Sequence, residues 1–189
     1  SLLRHKRAVS PIEELTSGHF HDVLDDTEVD PARVRRVVLC SGKVYYDLLE
    51  RRLEEKRPDV ALVRVEQLYP FPVDLLRQTL ERYGDAKEWV WAQEESLNMG
   101  AWTFMEPRLR AMDYTVKFIG RDTSASPATG SHRIHAREQK ELVTAAISGT
   151  APHLVRAVPS ASRLREWREE TVWAKEQPRG DLAHEPVER

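Results

Sequence analysis

An α/β fold, a mostly parallel sheet with helices on both faces, is what this sequence predicts. Three observations predict it. Short apolar runs such as Val37-Val-Leu-Cys40 show no polar alternation, as strands covered on both faces require. Stretches of helical period, with Leu48, Leu49 and Leu53 in one of them, separate those runs. Strand and helix then alternate along more than a hundred residues, the pattern of βαβ units.

The elements follow in order. Residues 1–33 read as a lead-in, with a helix start at Ser10-Pro-Ile-Glu-Glu14: a Ser cap, Pro at the first helical position, then acids. Asp25-Asp-Thr-Glu-Val-Asp-Pro31 is acidic, ends in Pro and reads as an exposed connector. The α/β domain is expected over residues 34–150. Its strands are expected at Val34–Cys40, Val60–Val65, Glu88–Ala92 and Thr115–Ile119, the last ended by Gly120. Its helices are expected at Tyr45–Glu55, Val73–Tyr83 with Gly84 as C-cap, Trp102–Met112 despite Pro107, and Arg137–Ile147. Residues 151–189 form a tail with four prolines and seven charges of each sign. A short amphipathic helix over Ser162–Lys175 would place Leu164, Trp167, Thr171 and Ala174 on one face, as an interaction element or as part of a disordered extension.

Composition narrows the function. The 189 residues carry 29 Lys and Arg against 31 Asp and Glu, a net charge of −2, which argues against a nucleic-acid surface. No apolar run approaches the roughly 20 residues needed to span a bilayer, so no membrane partner is expected. The single cysteine, Cys40, cannot form an internal disulfide and suits a reducing compartment. No secretory signal is read at the basic start Ser1-Leu-Leu-Arg-His-Lys-Arg7, and the absence of an initiator Met suggests a processed or excised piece.

In parallel sheets, sites form at the C-terminal ends of strands. Here those ends are Ser41-Gly-Lys43, Glu66-Gln67, Gln93-Glu-Glu95 and Arg121-Asp122. Ser41, Gly42 and Lys43 precede a helix, whose free amides could hold a phosphate or carboxylate; a structural turn is the plainer reading. Glu94 and Glu95 are paired carboxylates able to do proton work if burial separates them. The plainer task for Gln93-Glu-Glu95 is to accept hydrogen bonds from loops, or from a helix start near Asn98-Met-Gly100. His132 and His135 could share a helix face toward a metal, but no cysteine or acid stands at ligand spacing. Trp89 and Trp91 point to one side of their strand and fill a core or a domain seam. Tyr69-Pro-Phe-Pro72 reads as a rigid apolar corner, part of a seam an isolated domain would expose.

Four stretches carry a resemblance: Ser1-Leu-Leu-Arg-His5, Cys40-Ser-Gly-Lys-Val-Tyr-Tyr-Asp-Leu48, Arg64-Val-Glu-Gln-Leu-Tyr-Pro-Phe-Pro72 and Trp89-Val-Trp-Ala-Gln-Glu-Glu-Ser-Leu-Asn-Met-Gly-Ala-Trp102. In this order they resemble the C-terminal domain of the E1 component of 2-oxoglutarate dehydrogenase, over roughly residues 1–150. The resemblance implies a transketolase C-terminal-domain-like fold. It implies a parent enzyme that decarboxylates 2-oxoglutarate on thiamine diphosphate and Mg and passes the succinyl group to lipoyl E2, the dihydrolipoyl succinyltransferase. The implied partners are the rest of the E1 chain, a second E1 in a homodimer, and E2. Implied locations are bacterial cytoplasm or mitochondrial matrix. The cofactor and metal belong to upstream domains, because Gly-Asp-Gly is absent: neither Gly84-Asp85 nor Gly180-Asp181 continues with Gly. No catalytic, cofactor or metal residue is therefore expected here. Ser41, Gly42 and Lys43 stand as regulatory anion candidates for a nucleotide or acyl-CoA, although Pro70–Arg77 holds a single base. Gln93, Glu94, Glu95, Asn98 and Trp102 stand as domain-contact candidates. A related 2-oxoadipate branch shares much of the pattern; Gly42-Lys-Val-Tyr-Tyr46 looks more like the 2-oxoglutarate branch.

Overall fold

Among the described residues four parallel strands make the centre, in the order Val60–Val65, Arg36–Cys40, Glu88–Ser96 and Lys117–Arg121, and two short antiparallel strands flank them. A computed structural model describes residues 2–149 and 155–156. The strands are β1 Val23–Leu24, β2 Arg36–Cys40, β3 Val60–Val65, β4 Glu88–Ser96, β5 Lys117–Arg121 and β6 Val155–Arg156. The helices are α1 Ile12–Thr16, α2 Val44–Glu54, α3 Val73–Glu81, α4 Trp102–Ala111 and α5 His132–Ser148.

The chain leaves β2 for β3 on one side, then returns past β2 to β4 on the other. Crossovers between parallel strands are right-handed, so this reversal puts α2 and α3 on opposite faces. On one face α2 and α5 bury Val44, Leu48, Leu142, Ala145 and Ile147 against Val38, Leu62, Val90 and Ile119. Alternate residues point the other way. Leu39, Val63, Trp91 and Phe118 are buried with Leu76 and Leu80 of α3 and Met105 and Leu109 of α4. Trp102 packs on Phe118 with ring centroids 5.2 Å apart.

Several elements depart from the expected bounds. β4 continues through Gln93-Glu-Glu-Ser96, where no apolar residue announces a strand. Gly120 lies inside β5 instead of ending it; a Cβ there would meet Phe118 at 2.3 Å and the Gln93 carbonyl at 3.1 Å. The α5 helix begins at His132, five residues before Arg137, because its first turns are polar and exposed. Gly84 is not the cap of α3, which ends on Arg82 at φ −61. For α1, Pro11 occupies the cap position and no side chain caps it. Pro107 is accommodated within α4, as expected.

The acidic connector is the largest surprise. Asp26 is buried, not exposed, and its carboxylate pairs with the buried Arg52 while accepting the Leu62 N–H at 2.9 Å. Arg52 also donates to the Val60 carbonyl and to Glu28. Asp25 pairs with Arg82 and accepts the Tyr83 hydroxyl at 2.5 Å. Asp26 thus ties the residues after β1 to the sheet edge at β3, and Asp25 ties them to the end of α3. A second buried arginine, Arg36, donates to the carbonyls of Ala145 and Ala146 at the end of α5 and pairs with Glu88. The helix expected over Ser162–Lys175 lies outside the described residues.

Candidate functional site

The reversal of strand order falls between β2 and β4, and a cleft opens there at their C-terminal ends. That is the place where an open α/β sheet binds ligands. The cleft has a volume of about 560 Å³. Its walls bring together two stretches that lie fifty residues apart in sequence: Ser41, Gly42 and Lys43 from the β2–α2 turn, and Gln93, Glu94 and Glu95 from β4. Leu68, Trp91 and Phe104 supply the apolar wall.

Gly42 adopts φ +68, a conformation that favours glycine, and this turns the chain from β2 into α2. Its N–H donates to the Glu66 carboxylate at 3.2 Å, so an acid just past β3 already occupies the amide of this turn. Lys43 donates to Glu94 at 2.8 Å and lies 3.4 Å from Asp47. Burial works to lower the Lys43 ammonium, but Glu94 and Asp47 outweigh it and hold the group above its ordinary value. The charge of Lys43 is thus spent within the cleft.

Gln93 organises the other wall. Its side-chain carbonyl accepts the Trp91 indole N–H at 2.9 Å and the Trp102 backbone N–H at 3.0 Å. Its amide donates to the carbonyls of Met99 at 2.7 Å and Ser96 at 3.2 Å. One buried amide therefore closes the β4–α4 loop and satisfies the start of α4, the hydrogen-bonding task expected of this stretch. Gly100, at φ +67, leaves room for it: a Cβ there would meet the Gln93 amide nitrogen at 2.9 Å. Trp102 is buried inside the domain. Asn98 is exposed and bridges to Ser124, donating to its carbonyl at 3.0 Å and accepting its N–H at 3.1 Å. Glu95 is exposed at the rim.

The loop held by Asn98 roofs a polar hollow of about 310 Å³ beside Arg121. Arg121 lies 3.1 Å from Glu138, which accepts the Thr129 hydroxyl at 2.8 Å. Its other nitrogen donates to His135 Nδ1 at 2.9 Å. Arginine can only donate, so His135 Nδ1 is the acceptor and is not offered to a metal. Among the described residues no group of three or more His, Cys, Asp or Glu converges as for a metal ion. Cys40 is fully buried in the core that α2 and α5 cover, and burial pushes its thiol up to about 12, which keeps it a thiol at neutral pH. Sequence reasoning found the strand ends but missed the pairings across them. Only the adjacency of β2 and β4 brings Lys43 to Glu94.

The Gly-Asp-Gly sequence that would hold the Mg of thiamine diphosphate does not occur in the sequence. Gly84-Asp85 sits just past α3, without a following Gly. Gly180-Asp181 lies outside the described residues.

Fold and cleft together define a doubly wound α/β domain whose strand-end donors are already engaged by its own carboxylates. The chain belongs to the 2-oxoglutarate dehydrogenase C-terminal family, whose model matches residues 9–147. It is 47% identical over 152 residues to the 2-oxoglutarate dehydrogenase E1 component of Haemophilus influenzae, covering 78% of this chain and 16% of that protein. It is 48% identical over 153 residues to the mitochondrial 2-oxoglutarate dehydrogenase of Caenorhabditis elegans, covering 76% and 15%. The chain thus spans about a sixth of the length of these curated relatives. A solved chain described as a split gene transketolase, inactive beta4 tetramer, overlaps with TM-score 0.45 at 19% identity, covering 73% of this chain and 45% of that one. No helix among the described residues is long and apolar enough to cross a membrane.

Proposed function

We propose that this chain serves as the C-terminal domain of a 2-oxoglutarate dehydrogenase E1 subunit. The family match across residues 9–147 carries the reading. The parent enzyme would decarboxylate 2-oxoglutarate and pass the succinyl group to lipoyl E2. Its thiamine diphosphate and Mg would be held by upstream domains. The part of this domain is architectural: it supports the E1 dimer and shapes the approach to an active site built elsewhere. Glu94, Glu95 and Asn98, at the strand-end rim, are the residues that would face a neighbouring domain. Gln93 and Trp102 would act from beneath, by fixing the loop that presents them. Bacterial cytoplasm or mitochondrial matrix would be the location. The test is the full-length parent E1 assayed by reduction of an artificial electron acceptor. Turnover of 2-oxoglutarate well above 2-oxoadipate supports the reading; turnover of 2-oxoadipate alone, or of neither, overturns it.

The cleft at the strand reversal favours a second reading, a regulatory anion such as a nucleotide or acyl-CoA held by Ser41, Gly42 and Lys43. Such a ligand would have to compete with Glu66 for the Gly42 amide and with Glu94 for Lys43. Unchanged affinity of Lys43→Ala for every nucleotide and CoA ester tested would end that reading.

A further inference from the structure

Between two anchors, the lead-in makes an excursion that the described residues leave largely uncovered. His5 stacks on Tyr46 at 5.0 Å and Arg7 lies 3.6 Å from Glu50, so the chain is held to α2. Val23 is buried in β1, and Asp25 and Asp26 lock the next residues to the sheet edge. Between these points Val9, Ile12, Leu15 and Phe20 are 77, 69, 82 and 65% exposed. Ile12 and Leu15 stand three apart on α1, which has no buried residue at all. Four large apolar side chains within twelve residues are a surface to be covered, unlike apolar residues scattered singly.

We propose that Val9–Phe20 is the docking segment that joins this domain to an apolar face of the preceding part of its own parent chain. Two observations choose that occupant. The segment lies inside the family match, which begins at residue 9, so what covers it belongs to the common architecture. The match is to a C-terminal domain, and about five sixths of the H. influenzae relative lies outside it. The segment is also the edge of the domain nearest in sequence to that remainder. The inference rests on the E1 reading above and adds the contact that reading needs.

Amide hydrogen exchange tests it, with this chain alone compared with the full-length parent E1. The amides of Ile12–Ser17 should exchange near unprotected rates in this chain and at least tenfold more slowly in the full-length protein. Full-length E1 carrying Ile12→Asp and Leu15→Asp should lose that slowing. Equal exchange in the two wild-type proteins overturns the inference, as does slowing that survives the double substitution. The same full-length protein is assayed with 2-oxoglutarate. Activity without slowing sinks this inference alone, whereas absent activity sinks the E1 reading beneath it.

Discussion

The two halves of the lead-in invert the usual rule of burial. Residues 9–20 hold four large apolar side chains that stand in solvent, whereas residues 25–28 carry three acids and reach into the domain. The difference lies in what each half meets. Asp26 finds a buried guanidinium and a backbone N–H, which offset the cost of removing its charge from water. Among the described residues, Val9, Ile12, Leu15 and Phe20 find little to cover them. Burial here follows available partners, and the exposed half is the segment proposed above to dock on the rest of the parent chain.

Breaking the buried half should give the largest effect. Asp26→Ala leaves Arg52 in a site that is 5% exposed and strands the Leu62 N–H, at a cost of about 3–5 kcal/mol. The urea midpoint of the isolated chain should fall accordingly; an unchanged midpoint would mean that the network contributes little. Gln93→Leu should come next. It keeps the volume but strips partners from the Trp91 indole, the Trp102 amide and the Met99 carbonyl, for a loss of about 3 kcal/mol in the same unfolding experiment. Gly149→Ala should cost about 2 kcal/mol, since the residue sits at φ +74 and its Cβ would meet Arg36 at 2.3 Å.

A smaller effect is expected from acid. The hydrogen bond from Lys117, with Arg36 adding, holds the Glu88 carboxyl below its ordinary 4.5. A lowered folded-state value means stability that is present above pH 4.5 and is lost as pH falls toward the folded value. Glu88→Gln should flatten that acid limb of a stability–pH curve and leave the limb above pH 6 parallel to wild type. The smallest effect sharpens the comparison. Ile12→Asp with Leu15→Asp should move the stability of the isolated chain by less than about 0.5 kcal/mol, because neither side chain is buried in it.

The central sheet was legible because both-face burial writes itself as unbroken apolar runs: β2 and β3 are nearly all buried, and their bounds agree with expectation to within two residues. The edges were not legible. Two-residue strands such as β1 carry no periodicity, and a connector with acids at Asp25, Asp26 and Glu28 looks solvated until Arg52 and Arg82 are placed opposite it. The candidate site was half legible. Strand ends can be read from where apolar runs stop, which gave Ser41–Lys43 and Gln93–Glu95. That one amide would serve both Trp91 and Trp102, or that Glu94 would occupy Lys43, depends on side-chain directions in three dimensions. The apolar corner was visible in the sequence as Tyr69-Pro-Phe-Pro72, and the structure leaves Tyr69 87% exposed.

The most direct measurement is complementation. Parent E1 lacking this domain is assayed for 2-oxoglutarate-dependent reduction of an artificial acceptor while this chain is added in trans. Activity that is absent without the chain and rises to saturation near one chain per subunit is the expected result. A shortened enzyme that is as active without the chain as with it would contradict an architectural role for the domain.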